Sequence, residues 1–407
     1  TLDSHSKPRL AIATLAVLAG AKLIMHLIAI DQYGYFRDEL YYLACAEHLD
    51  WGYVDHPPFS IAILAAVRAL LGDSLIALRM VPVLACSATV FIAGALAREL
   101  GGGRFAQALT ALAMLMAPVV AGLGHVYSMN AFDLLIWTVT AWALLAALNQ
   151  GRPRHWMVLG AVLGLGLLNK ISVLWLGGGI FIGLLLTPHR RMLRTPWPWA
   201  AALVAFTIFL PHLIWQVQQE WPTIEFMRNA TSIKMAATTV PGFLGDQLLV
   251  MNPGSAPVWI AGIFFGLFAR DCKQGRVFVW IYLVVLLLLL VSGRSRASYL
   301  VPAYPMLLAL GGVAVERVSV APGRRWIQPS LAAVIIVFGL VQLPFAIPVL
   351  PVETFVRYQS ALGMSPHTEE QHAMGSLPQQ YADMFGWEEL AGLVAEAYQR
   401  LCPEEQQ

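Results

Sequence analysis

The sequence predicts an all-α polytopic membrane protein with about eleven transmembrane helices and interfacial helices in its first extracytoplasmic loop. Three observations predict it. Of 407 residues, 58% are hydrophobic and only 12% charged, against roughly 45–50% apolar usage in soluble domains. Apolar stretches recur almost to the end, many near the ~20 residues that a bilayer requires, and the mean hydropathy is +0.65. The basic residues also separate between alternate connections. One large membrane bundle therefore replaces the two or three soluble domains that length alone suggests. A net charge of +2 provides no basic field suited to nucleic acid.

Lys7 and Arg9 precede the first apolar stretch, 10–30. No small-residue cleavage site follows it, so it reads as a retained helix. Further spans are expected at 75–98, 105–121, 131–149, 156–169, 171–187, 197–217, 256–270, 276–292, 299–316 and 327–349. The fifth and sixth meet at "LLNKISV", which places Asn169 and Lys170 below the membrane surface. Gly160, Gly164, Gly166, Gly177 to Gly179 and Gly183 are small residues spaced for close helix packing. One set of connections carries fifteen basic residues, from Lys7 and Arg9 through Arg324 and Arg325. The opposite set carries six: Arg37, Lys170, Arg228, Lys234, Arg294 and Arg296. That excess predicts a cytoplasmic amino terminus. The opening segment, the 218–255 and 292–298 loops and everything after 350 are then extracytoplasmic.

The opening segment, "YFRDELYYLACAEHLDWGYVDHPPFS" (35–60), concentrates carboxylates and aromatics at the mouth of the first span. Asp38–Leu49 suits a short interfacial helix. Pro57 and Pro58 stop it, and 59–71 resumes as a second. Asp38 and Glu39 fall in the first turn, where the helix dipole favours ionised carboxylates. Asp38 either caps that helix or takes a proton from an acceptor hydroxyl. Asp55 and His56 form either a plain turn before the prolines or two ligands of a divalent metal. The four cysteines show no metal-ligand spacing.

Cations on the same side are Lys170 and, in "GRSRASYLVPAYP", Arg294 and Arg296 beside Tyr299. Such residues either snorkel or mark an anionic substrate, and a lipid phosphate at headgroup level matches them. Asn130 and Asp133 stand at the outer end of the fourth span, where an acid is costly enough to mark a site. Capping by Asn130 or Ser128 is the plainer role there.

Over roughly 10–350 the chain resembles the GT-C superfamily of membrane glycosyltransferases. It is most similar to the protein O-mannosyltransferase-like group (family 39), which includes aminoarabinose transferases of lipid A. "RDELYYLACAEHL" resembles the group's Asp-Glu-x-x-Tyr segment, and "GYVDHPPFSIAIL" its Pro-Pro stretch. "GDSLIALRMVPVLA", "GLGLLNKISVLW" and "ASYLVPAYPMLLAL" follow in order. The resemblance implies a sugar transferase with Asp38 as base and Glu39 beside it, a polyprenyl-phosphate sugar donor, and a lipid, glycan or protein acceptor. It implies that Lys170, Arg294, Arg296 and Tyr299 hold the phosphate, and that Tyr42, Asp55, His56, Asn130 and Asp133 line the substrate cavity. No cofactor is implied beyond a divalent metal at Asp55 and His56, and Asp-His in place of Glu-Lys weakens that role. A bacterial inner membrane is the expected location. The alternative is a transporter or flippase of polyprenyl-linked sugars, for which paired broken repeats are expected. Residues 1–350 are expected to form the transmembrane domain. Residues 351–407 are expected to be an extracytoplasmic, helical and truncated segment, with "FGWEELAGLVAEAYQRL" as an amphipathic helix.

Overall fold

The computed structural model describes residues 7–366, 370 and 375–402. Among them no strand forms, apart from one isolated antiparallel bridge between Met235 and Glu370. The first half comprises α1 (Ile12–Leu27), α2 (Arg37–Glu47), α3 (Phe59–Leu71), α4 (Leu75–Glu99), α5 (Arg104–Leu115), α6 (Pro118–His125), α7 (Met129–Gln150), α8 (Pro153–Asn169) and α9 (Val173–Leu185). The second comprises α10 (Trp197–Gln218), α11 (Pro222–Asn229), α12 (Val240–Val250), α13 (Ala256–Phe268), α14 (Lys273–Ser292), α15 (Tyr304–Ser319), α16 (Ile327–Ala346), α17 (Val352–Ala361), α18 (Gln379–Ala382) and α19 (Trp387–Arg400).

Each expected span has a helical counterpart, but the count of eleven does not follow from length and composition. Six described helical stretches are long and apolar enough to cross a membrane, or nine if each of three bent pairs is one span. The expected 105–121 span is one such pair. Pro118 opens α6 without an N–H to continue the ladder, and α5 and α6 are bent by 59°. Residues 218–255, expected as a loop, contain α11, a π-helical turn at Ala230–Lys234 and α12. Thr239 starts α12 by accepting from the Gly242 N–H, a cap that a Pro- and Gly-bearing stretch hides from periodicity analysis.

Apolar side chains of α4, α5, α7, α9, α14 and α15 form one continuous core. In α7 and α15, 72% and 78% of the spanning windows are buried, against 11% in α16, so α16 is peripheral and mostly faces lipid. The packing glycines divide. A Cβ on Gly160 would meet the Ala201 carbonyl at 2.4 Å, and one on Gly183 would meet Val277 at 3.0 Å, whereas Gly177 and Gly178 have nothing within 4 Å. The tightest crossing is α13 on α15, where a Cβ on Gly311 would stand 1.9 Å from the Val258 carbonyl oxygen.

The interfacial helices α2 and α3 pack on each other, with Tyr42, Ile61, Leu64 and Phe132 in a separate apolar cluster. Beyond α16, Phe355, Tyr381 and Met384 pack against Tyr33, Phe36 and Phe345. The carboxyl segment thus docks on the opening segment through α17 and α18. The amphipathic α19 has no buried residue.

Candidate functional site

Four residues of apolar helix carry Arg79 into the bundle, where its guanidinium is fully buried. A cation there requires partners. Arg79 donates through Nε to Glu39 Oε1 at 3.0 Å and through Nη2 to Glu39 Oε2 at 2.9 Å, a fork matched to a carboxylate. Glu39 also accepts the Tyr127 N–H at 2.8 Å and the Phe36 N–H at 2.9 Å. This carboxylate, expected to be catalytic beside Asp38, is fully buried and committed to four donors. Its neighbour differs because successive residues on a helix point about 100° apart. The Asp38 side chain is 48% exposed, with Arg37 Nε at 3.3 Å. Ser128 caps α7 by accepting the Asn130 N–H, whereas α2 begins at Phe36 with Glu39 satisfying the cap N–H. The structure therefore assigns capping of α2 to Glu39, and the Asp38 carboxylate is left over for other chemistry.

The Tyr42 hydroxyl accepts the Met129 N–H at 3.2 Å and keeps its own proton to donate. Burial, with the Asp55 and Asp38 carboxylates nearby, holds its pKa well above the ordinary phenol value. Tyr41 donates to Asp55 Oδ1 at 2.7 Å, and burial followed by the Asp55 charge raises its pKa too. His56 is buried among the rings of Tyr41, Tyr42 and Tyr53. Its Nδ1 lies 2.9 Å from the Pro57 carbonyl oxygen; the carbonyl can only accept, so Nδ1 carries the proton and Nε2 faces Asp55 at 3.7 Å. Among the described residues no group of three His, Cys, Asp or Glu side chains could hold a metal ion. Asp55 and His56 therefore do not fit a metal site by themselves.

The break between α8 and α9 delivers Lys170 to the amino-terminal end of α7. Its ammonium donates to Asn130 Oδ1 at 2.7 Å, lies 3.5 Å from Asp133 Oδ2 and stands 5.3 Å from the Tyr299 ring centre. Ser172 donates to the same Asp133 oxygen at 3.2 Å. Lys170 and Tyr299, expected together, thus stand beside Asn130 and Asp133, which were expected on the cavity wall. The two arginines are drawn elsewhere. Arg294 donates to the Thr231 and Ser232 carbonyls at 2.9 and 3.0 Å, which fastens the π-helical turn. Arg296 pairs with Glu370.

Glu370 collects cations from three connections: Arg296, Lys234 at 3.2 Å and Arg37 at 3.9 Å. Burial opposes ionisation of its carboxyl, but the Gln379 hydrogen bond and the Lys234 and Arg296 charges outweigh this and hold its pKa below the usual carboxylate value. Arg37 also reaches Asp383 at 3.2 Å, so one guanidinium ties Asp38 to this anion-binding group. Sequence reasoning passed over Arg37, Lys234 and Glu370 as parts of the site and held Arg79, with Arg68, only as a second choice for the phosphate, whereas the structure commits Arg79 to Glu39. The single usable signal was the arginine inside an apolar span.

Residues 55–215 match the family described as dolichyl-phosphate-mannose-protein mannosyltransferase. The lipid A galacturonosyltransferase RgtD of Rhizobium johnstonii is 26% identical over 282 residues, covering 67% of this chain and 59% of the relative. The undecaprenyl phosphate-alpha-4-amino-4-deoxy-L-arabinose arabinosyl transferase of Pseudomonas savastanoi is 22% identical over 335 residues, covering 76% and 62%. The chain therefore spans about three fifths of the length of these curated relatives. Among solved structures, ArnT from Cupriavidus metallidurans bound to undecaprenyl phosphate superposes with a TM-score of 0.65 at 16% identity, covering 97% of this chain and 82% of that one. The Archaeoglobus fulgidus oligosaccharyltransferase gives 0.58 at 12% identity, covering 87% and 56%. Over 55–215 the chain is thus similar to the dolichyl-phosphate-mannose-protein mannosyltransferase family, and over nearly its whole length it has the fold of ArnT.

Proposed function

We propose that the protein transfers a sugar from a polyprenyl-phosphate donor to an acceptor hydroxyl at the extracytoplasmic face of a bacterial inner membrane, with Asp38 as general base. One observation carries this reading. Asp38 is exposed at the first turn of α2, and its neighbour Arg37 joins it to a carboxylate-binding group of three cations. Asp38 takes the acceptor proton and the acceptor oxygen attacks the anomeric carbon. The bond from that carbon to the phosphate oxygen breaks, and the polyprenyl phosphate leaves with the electron pair. A single displacement inverts the anomeric centre. Arg37, Lys234 and Arg296 stabilise the phosphate charge as it develops. Lys170 with Tyr299, Asn130 and Asp133 forms a second polar wall, and Tyr42, Asp55 and His56 line the acceptor side. Residues 1–350 act as the membrane domain, and the segment after 350 covers its outer face.

The test uses the purified chain in liposomes with undecaprenyl-phosphate-linked pentose or uronic acid donors and lipid A, peptide or glycan acceptors. Release of undecaprenyl phosphate, with an acceptor heavier by one sugar, is the expected result, and Arg296→Gln or Lys234→Gln lowers turnover and weakens inhibition by free undecaprenyl phosphate. Movement of the donor across the bilayer with its glycosyl bond intact would replace transfer by transport. Sidedness is read by an impermeant thiol reagent in intact cells: cysteines at Gly242 and Gly392 react, and one at Gly323 does not.

A further inference from the structure

We infer that Arg79 is a positioning residue for the proposed transfer, holding the chain from the end of α1 to the start of α2 in the one geometry that presents Asp38. The inference rests on the transferase reading for its consequence, but on geometry for its mechanism. Beyond its fork to Glu39, Arg79 Nη1 donates to the Ile30 carbonyl at 3.0 Å and the Gln32 carbonyl at 3.3 Å. Nη2 donates to the Gly34 carbonyl at 2.7 Å. Three carbonyls within five residues, and the side chain of Glu39 beyond them, thus converge on one planar cation. This connection has no regular structure to order it: Tyr33 has a φ of +61°, which a non-glycine residue keeps only where its surroundings impose it. Arg79 holds the carbonyls on either side of it, Gln32 and Gly34, while the Tyr33 hydroxyl donates to the Leu350 carbonyl at 2.8 Å. His125 completes the seating, since a guanidinium can only donate and Nη1 lies 3.3 Å from His125 Nε2. The ring therefore accepts there, as a neutral imidazole.

The consequence is specific. Arg79 touches no surface that a substrate can reach, yet Asp38 is one residue from Glu39. A shift of this connection moves Asp38, and Arg37 beside it, relative to the reacting atoms, while Lys234 and Arg296 on other connections stay in place. Turnover is the quantity chiefly affected, because two of the three cations proposed for the donor do not move. Lysine keeps the charge but has no fork and cannot span Glu39 and three carbonyls together.

The experiment compares wild type, Arg79→Lys and Glu39→Gln in detergent, each confirmed as monodisperse and folded. Two readouts are taken: backbone hydrogen exchange over residues 30–40, and kcat and KM for an undecaprenyl-phosphate sugar donor. Arg79→Lys should speed exchange in that segment and lower kcat by about a hundredfold, as a misplacement near 1 Å can do, with KM for the donor little changed. Glu39→Gln, which keeps the shape and one acceptor, should fall between the two. Unchanged exchange overturns the inference, as does faster exchange with wild-type kcat, or a loss that falls on KM instead. If wild type transfers no sugar at all, the transferase reading fails, and the exchange data still decide whether Arg79 orders the segment.

Discussion

The Lys170 ammonium lies 3.5 Å from the Asp133 carboxylate, in a pair whose side chains are 16% and 2% exposed. Removing one partner strands the other in a low-dielectric setting, which typically costs about 3–5 kcal/mol, whereas replacing both is often close to neutral. Lys170→Gln alone should therefore lower the thermal midpoint strongly. The double variant Lys170→Met/Asp133→Leu should recover most of the stability while transfer stays low. Recovery of transfer in the double variant would reduce the pair to a structural role.

Asp38→Asn keeps the side chain's shape and removes its proton acceptor. Among the described residues Asp38 pairs with Arg37 and takes no part in the Arg79 network, so folding should be unaffected. Transfer should fall by about two to four orders of magnitude, measured as undecaprenyl phosphate released by protein of unchanged midpoint. A purified variant transferring at the normal rate would move the base elsewhere.

Acid should loosen the carboxyl segment. The folded-state pKa of Glu370 lies below the ordinary value of 4.5. Its contribution is therefore fully present above that value and is lost as pH falls through the depressed pKa. Limited proteolysis between Leu350 and Tyr381 should accelerate below about pH 4, and Glu370→Gln should accelerate it already at neutral pH. Equal cleavage of wild type and variant at pH 7 would show that these charges do not anchor the segment.

Gly311→Ala places a methyl group against the Val258 carbonyl, whereas Gly178→Ala meets nothing. Overpacking of this kind costs about 1–3 kcal/mol, and more where backbone must yield. A lower midpoint for Gly311→Ala and an unchanged one for Gly178→Ala should separate close helix contact from mere glycine content. Sequence spacing alone treated the packed Gly160 and the open Gly178 alike.

The apolar runs, the prolines and the bias of basic residues determined where helices form and where α2 and α3 begin, since periodicity and capping act over a few residues. The Asp-Glu pair and the Lys170 break were legible for the same reason. The division of labour inside that pair was not. Asp38 and Glu39 are adjacent carboxylates with the same local signals, and only the arrival of Arg79, forty residues on, buries one and leaves the other open. Likewise, nothing local distinguishes Arg294, which holds two carbonyls, from Arg296, which meets Glu370 across 74 residues. Tertiary packing decided these roles, because the cost of burying a charge is settled by whichever distant partner the fold brings to it.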